Sequence, residues 1–384
     1  MSQYTSLQQN RAASGSRAAS SGFTIIEIMV GLAIGLLTLL AIYQLFATSE
    51  GRRRTVAAVS QAQSAGAMAL FSIERDIRSA GLGFASLDTT YLGCTVTASN
   101  SARTPVTFQF PLQPVEIKDG RELRVMTGSS GNMFTGARYN ASANGEFKMA
   151  KSNAGFQPGD VMIGTNDSNS AQCLMMEVTK GAGSTVTLPA STTVEAYTGV
   201  EHKDTSYSSF YTNQAVQATR NGTSNNILDA SSTSLGEGVI FSLGPKPTLT
   251  VWSLQDGQLT RYNFLNETET ARVAVAQDVL IMAAEYGYDK DGSGKIDQSD
   301  EWTATTPAAP ELGRLIAVRV AILVRTSQFE RDEVTTVNPR WANGSKEFDL
   351  SAVSSTGDTN WKHYRYRVYE SVIPLRNTIW GQLP

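Results

Sequence analysis

Six residues of the run DKDGSGKIDQSD, 289–300, place oxygen atoms at the spacing of a twelve-residue calcium loop. Asp289, Asp291 and Ser293 take positions one, three and five. Gly294 takes six, where the chain must turn sharply. Lys295 offers its backbone carbonyl at seven, Asp297 takes nine and Asp300 takes twelve. Calcium is a hard cation that gathers several oxygens around one point, and this spacing supplies them. Asp300 is shorter than the Glu of the template, so it reaches an ion through one oxygen or through water, and Glu301 stands beside it. The alternative is an acidic hairpin turn with no ion. Flanking helices are not expected, because the EYGY ahead of the loop reads as a strand.

Other chemistry is thinly supplied. The chain lacks the GxSxG nucleophile elbow, the GxxxxGK[ST] phosphate loop and the HExxH zinc motif. His202 lies in a polar loop and His363 in an expected strand, and neither has a neighbour that suggests catalysis. Two His and two Cys in 384 residues are a thin inventory for a zinc site of the Cys/His kind. Cys94 and Cys173 are two buried thiols or one disulfide, depending on the compartment. A net charge of -3 speaks against a general nucleic-acid binder. Hydrophobic residues at 41% and charged ones at 17% suffice for a packed core.

The remaining conspicuous group is Glu27, the single charge in the 24-residue run FTIIEIMVGLAIGLLTLLAIYQLF, 23–46. The run is long enough to cross a bilayer as a helix. It is too long for the core of a secretory signal, and its small residue, Gly22, precedes it instead of following. A plain anchor leaves Glu27 unexplained, at a cost of about 2.5 kcal/mol or more in hydrocarbon. Gly22-Phe23-Thr24-Ile25-Ile26-Glu27 resembles the processing site of type IV prepilins. That resemblance implies a leader, 1–22, cleaved after Gly22 by a prepilin peptidase, with N-methylation of the new terminal Phe23. It also implies that the Glu27 carboxylate meets the N-terminal amine of a neighbouring subunit. Such a pairing would set register more than stability, since a buried charge is tolerable only when paired. Simple topology counting disagrees: Arg11 and Arg17 precede the apolar run, whereas Arg52, Arg53 and Arg54 follow it. The resemblance, which places the C-terminal domain outside the cytoplasm, is given precedence.

The helix is expected to continue past the membrane. Val56, Val59, Ala62, Ala69, Ile73 and Ile77 recur at spacings of three, four or seven, and no Pro intervenes before Gly81 and Gly83. One helix over 23–80, about 58 residues and about 85 Å at 1.5 Å per residue, is predicted. Gly31 and Gly35 form a small-xxx-small pair within its apolar half. From residue 81 onward the pattern is one of short alternating strands. These are Val106–Phe110, Leu123–Thr127, Val161–Thr165, Leu174–Thr179, Thr185–Leu188, Leu315–Arg325 and Tyr364–Pro374, with a hairpin pairing Thr248–Leu254 and Gln258–Phe264 around Asp256-Gly257. Two Ser/Thr/Asn-rich stretches, about 129–158 and 199–236, are poor in strand signals. The second stretch, with Tyr197 just ahead of it, carries Tyr207, Phe210 and Tyr211, which are either mobile surface or a partner contact.

Later stretches narrow the resemblance. RDIRSAG at 75–81, IFSLG at 240–244, VWSLQDGQL at 251–259, EYGYD at 285–289, LGR at 312–314 and VIPLRN at 372–377 resemble PilW-type minor pilins and their relative, the J-type pseudopilin of type II secretion. The implied fold is α+β and pilin-like: a long N-terminal helix, transmembrane over 23–46, packed on a large β-rich domain, 81–384. The implied role is structural and not enzymatic: priming of type IV pilus assembly and a place in the tip complex. The implied partners are the prepilin peptidase, other minor pilins, the major pilin and a tip adhesin. The chain would sit in the inner membrane with a periplasmic domain, then at the pilus tip. In that oxidising compartment Cys94 and Cys173 would pair. The chain departs from major pilins in lacking a Pro within the apolar helix. The rivals are the pseudopilin itself, which its gene neighbourhood would reveal, and a DNA-uptake minor pilin, which salt-dependent DNA affinity would reveal.

Overall fold

The computed structural model describes residues 22–85, 89–131, 135–143, 145–182, 198–221, 237–351 and 359–379. The leader up to residue 21, the strand expected at Thr185–Leu188 and the side chain of Tyr197 lie outside the described residues. Chain contacts divide the protein into two units, Met1–Val56 and Ala57–Pro384.

A single helix, Ile25–Ser79, starts as soon as Thr24 has provided a cap, and its Leu-, Ile- and Ala-rich sequence contains nothing to break it. In the first unit its large apolar side chains are exposed. Phe23 and Ile25 are each 78% exposed, and Leu37, Tyr43 and Phe46 are comparably bare. It is the one helix among the described residues long and apolar enough to cross a membrane.

In the second unit the same helix turns Ala58, Ala62, Ala69, Ile73 and Ile77 inward. The expected stripe included Val56, which is exposed; Ala58 is buried in its place. The reason is phase: at 3.6 residues per turn, Ala58 lies one turn back from Ala62, whereas Val56 lies on the opposite flank. Gly66 brings the helix close to the strand Tyr366–Pro374, since a Cβ there would sit 2.2 Å from the Tyr369 ring.

Among the described residues, three main sheets complete this unit. The first runs in the order Thr107–Pro111, Thr95–Ser99, Gln172–Glu177, Val161–Thr165, Gly238–Gly244, Ala137–Ala143, Glu146–Met149, Gly199–Glu201. Its one parallel pair, Thr95–Ser99 with Gln172–Glu177, is where Cys94 and Cys173 form a disulfide with a Cα–Cα distance of 5.8 Å. The second runs Val273–Gln277, Gln258–Asn263, Thr248–Gln255, Glu122–Thr127, Val115–Lys118. Its hairpin turns at Asp256 and Gly257, both with positive φ (51° and 72°), the conformation that an Asp-Gly pair favours. The third runs Trp302–Thr303, Val279–Tyr288, Leu315–Arg325, Tyr366–Pro374. Leu315–Arg325 pairs on both sides and is buried on both faces, which is why it reads as an almost unbroken β-branched run. The helix stripe, Trp252, Tyr286 and Ile322 share one apolar cluster with parts of all three sheets.

Three expectations change. The 129–158 stretch holds the paired strands Ala137–Ala143 and Glu146–Met149, because Tyr139 and Phe147, 4.7 Å apart, supply the burial that the polar composition hides. His363 closes a short 3₁₀ turn, Thr359–His363, and is not in a strand; its Nδ1 lies 2.9 Å from the Glu330 carbonyl. His202, expected in a polar loop, is buried against Phe147.

Candidate functional site

At the start of the helix, the Thr24 hydroxyl accepts the backbone N–H of Glu27 at 3.3 Å, so Glu27 occupies the third helical position of a Thr-x-x-Glu cap. Its carboxylate also lies in the first turn, where the helix dipole favours an acid. Gly22 has open space where a Cβ would be, as do Gly31 and Gly35. Among the described residues nothing within the chain requires glycine at these positions. Sequence reasoning assigned Glu27 to a partner and missed its local capping position, although Thr24 three residues earlier was the signal.

The other end of the helix is where the dispersed motifs meet. The last carbonyls of a helix have no partner within it. Here Asn377 Nδ2 donates to the carbonyls of Ser79 (3.3 Å) and Ala80 (2.9 Å), and Thr127 Oγ1 donates to Ser79 O at 2.5 Å. Gly81 follows with φ 79°, and its N–H donates to Met126 O at 2.8 Å. One turn earlier, the indole N–H of Trp252 donates to Asp76 Oδ2 at 3.2 Å. Burial pushes the Asp76 carboxyl above the usual carboxylate range, against the pull of Arg75, Arg261 and the indole.

The acidic loop begins where the strand Val279–Tyr288 ends. Asp289 N donates to Arg314 O at 3.0 Å, and Arg314 Nη1 donates to Lys290 O at 3.2 Å, which closes the base of the loop. Within it, Asp289 accepts the N–H groups of Ser293 (2.9 Å) and Gly294 (2.7 Å), and Asp291 accepts that of Ser293 at 3.0 Å. Gly292 and Gly294 have φ of 77° and 75°, so the sharp turn falls where the template needs it. The Ser293 hydroxyl and N–H hold the Asp291 carboxyl below its usual range.

The carboxylates that converge are Asp289, Asp291 and Glu301, with one oxygen from each within 4.8 Å of the others. Asp300, expected at position twelve, instead pairs with Lys290 at 2.7 Å, which lowers its pKa. The short turn Ser299–Glu301 swings the neighbouring Glu301 inward and fully buries it, with Oε2 accepting the N–H groups of Asp297 (2.8 Å) and Gln298 (2.9 Å). Asp297 contributes that N–H, while its side chain is exposed. Ser293 Oγ lies 3.5 Å from the Lys295 carbonyl. The set of hard oxygens suits calcium: each oxygen engaged by one N–H keeps a second lone-pair direction. Glu301 was legible as the Glu beside position twelve; which acid turns inward was decided by the 3₁₀ turn.

Residues 246–377 match the family described as PilW, Type IV Pilus-assembly protein W. The matched span contains Trp252, the acidic loop, Arg314 and Asn377. No curated protein and no solved structure matches the chain. The family match over this third of the chain, the long apolar helix and the large β-rich domain agree with one another: the C-terminal part of the chain is similar to PilW, a family of type IV pilus assembly.

Proposed function

We propose that this chain is a minor pilin: cleaved after Gly22, methylated on Phe23, and joined to other minor pilins to prime the pilus and remain in its tip complex. The observation that carries the reading is the bare apolar helix that opens with Gly22-Phe23 and a lone Glu27, on a chain whose C-terminal part is PilW-like. A surface of that kind is stable only in lipid or against other apolar helices. Before assembly it would sit in the inner membrane with Ala57–Pro384 in the periplasm. In the filament the Glu27 carboxylate would face the amine of a neighbour's first residue. The major pilin and a tip adhesin are the further partners. Mass spectrometry of the mature protein tests the reading: an N-terminal methyl-Phe23 supports it, and an N-terminus elsewhere refutes it. Co-purification of the membrane-extracted chain with other minor pilins, and not with secretion pseudopilins, separates the two machines.

The acidic loop adds a second reading, favoured by the convergence of Asp289, Asp291 and Glu301. Calcium held by these carboxylates, with Ser293 and the Lys295 carbonyl alongside, would offset their mutual repulsion and fix the loop on Arg314. A higher melting temperature in millimolar calcium than in chelator tests it.

A further inference from the structure

The tip of the hairpin Ser206–Ser208/Ala215–Gln217 is more firmly held than its Ser/Thr/Asn-rich sequence suggests. Phe210 N donates to Pro158 O at 3.0 Å, Ser209 N donates to Gln214 O at 2.9 Å, and Asn213 N donates to Ser209 O at 2.9 Å. Two phenols anchor it to buried acids. Tyr211 donates to Asp160 Oδ1 at 2.5 Å, and Tyr207 donates to Glu177. Asp160 and Glu177 are 1% and 9% exposed, so the tip is tied to the eight-stranded sheet at two points. What this anchoring holds out is Phe210, 55% exposed, with its ring edge-to-face on Tyr211 at 5.4 Å.

Beside Phe210 lies a cleft of about 590 Å³, the size of a small-molecule site. Its neutral polar lining comes from Thr179, Thr205, Ser206, Ser208, Ser209 and Asn213. The charges in the cleft are already met: Glu201 accepts Lys203 Nζ at 3.0 Å and Thr179 Oγ1 at 3.4 Å, and Lys180 has partners of its own. One fixed, exposed aromatic ring beside a concentration of hydroxyls matches a molecule with an apolar C–H face and a rim of hydroxyls. A protein interface would need a broad apolar centre, whereas the apolar lining of this cleft is confined to Pro158, Tyr207 and Phe210. We propose that the cleft binds a neutral saccharide, with one ring stacked on Phe210 and its hydroxyls bonded to the Ser, Thr and Asn side chains.

The test uses the full chain in a detergent without a sugar headgroup and four probes: maltose, cellobiose, lactose and chitobiose. Saturation-transfer NMR and calorimetry should show binding of at least one. Phe210→Ala and Phe210→Leu should each weaken it by about tenfold or more, the scale of one lost stacking contact, with the melting temperature unchanged. Phe210→Tyr should restore it. The proposal is overturned if none of the four binds at up to about 10 mM, the weak end of specific recognition. It is equally overturned if Phe210→Ala leaves saccharide binding intact, or if no sugar binds and Phe210→Ala instead strips a pilus subunit from the purified complex, which would make the tip a protein contact.

Discussion

The indole N–H of Trp252 and the carboxylate of Asp76 meet at 3.2 Å although 176 residues separate them, joining the helix to the central strand of the five-stranded sheet. Both residues belong to stretches that resemble one family, RDIRSAG at 75–81 and VWSLQDGQL at 251–259. Removing the donor leaves a half-buried acid with only Arg75 and Arg261 to offset its charge. Trp252→Phe should therefore destabilise the protein by about 1–3 kcal/mol, seen as a lower melting temperature. The deficit should shrink in acid, where Asp76 is protonated and has less need of a donor. A Trp252→Phe variant as stable as the parent at neutral pH would show the contact to be incidental.

Glu27 has a local role and a proposed intermolecular one, and two substitutions separate them. Glu27→Gln keeps a side chain able to complete the cap but removes the charge; Thr24→Ala removes the cap, at about 1 kcal/mol of helix stability, and keeps the charge. If Glu27 sets register between subunits, Glu27→Gln should insert in the membrane yet fail to co-purify with other minor pilins, while Thr24→Ala assembles. The reverse outcome would reduce Glu27 to a capping residue.

Cys94 and Cys173 are both buried and bonded. Unreduced, denatured protein should give no thiol labelling. Cys94→Ser with Cys173→Ser should melt lower, by up to about 4 kcal/mol on the chain-entropy account.

In the acidic loop, the choice between Glu301 and Asp300 can be decided. Calcium in the millimolar range should raise the melting temperature of metal-stripped protein, and magnesium should substitute poorly because it demands tighter octahedral geometry. Glu301→Gln should abolish the shift, and Asp300→Asn should preserve most of it. Equal melting with calcium and with chelator in the unsubstituted protein would remove the site altogether.

Burial raises the pKa of Asp160, and the hydrogen bonds from Tyr211, Gln157 and Ser242 only partly oppose it. A carboxyl with a raised folded pKa binds its proton more tightly in the folded state. Its contribution to stability is therefore lost as pH rises from about 3.9, the unfolded value, through the folded one. Asp160→Asn deletes that dependence. Its melting temperature, measured relative to the parent, should rise as pH climbs above about 3.9 and level off once the pH has passed the raised folded value. A flat difference would mean that Asp160 titrates as an exposed acid does.

Residues with strong local signals were legible. Leu315–Arg325 and Val161–Thr165 were readable as strands to the residue, and Asp256-Gly257 as a hairpin turn, because β-branched runs and positive-φ pairs leave few alternatives. Ala137–Ala143 was hidden because its one large buried side chain is Tyr139, amid Asn, Ser and Ala, and burial is a tertiary property. The inward turn of Glu301 in place of Asp300 is likewise settled by a single 3₁₀ turn, where one residue of phase changes which side chain faces in. Asn377, at the far end of the chain, gave no local sign that it would serve the carbonyls of Ser79 and Ala80.

The Cys94–Cys173 bridge has a mechanical consequence. In the filament role proposed above, the chain would bear tension, and a folded domain under tension can be drawn out into slack chain. With its ends 79 positions apart in sequence, the bridged segment represents roughly 270 Å of extended chain at about 3.4 Å per residue. That length cannot be released while the covalent bond holds. In single-molecule stretching, the oxidised protein should therefore give a contour length shorter than the reduced protein by about that amount, so the bridge limits how far the subunit can yield before its neighbours take up the load.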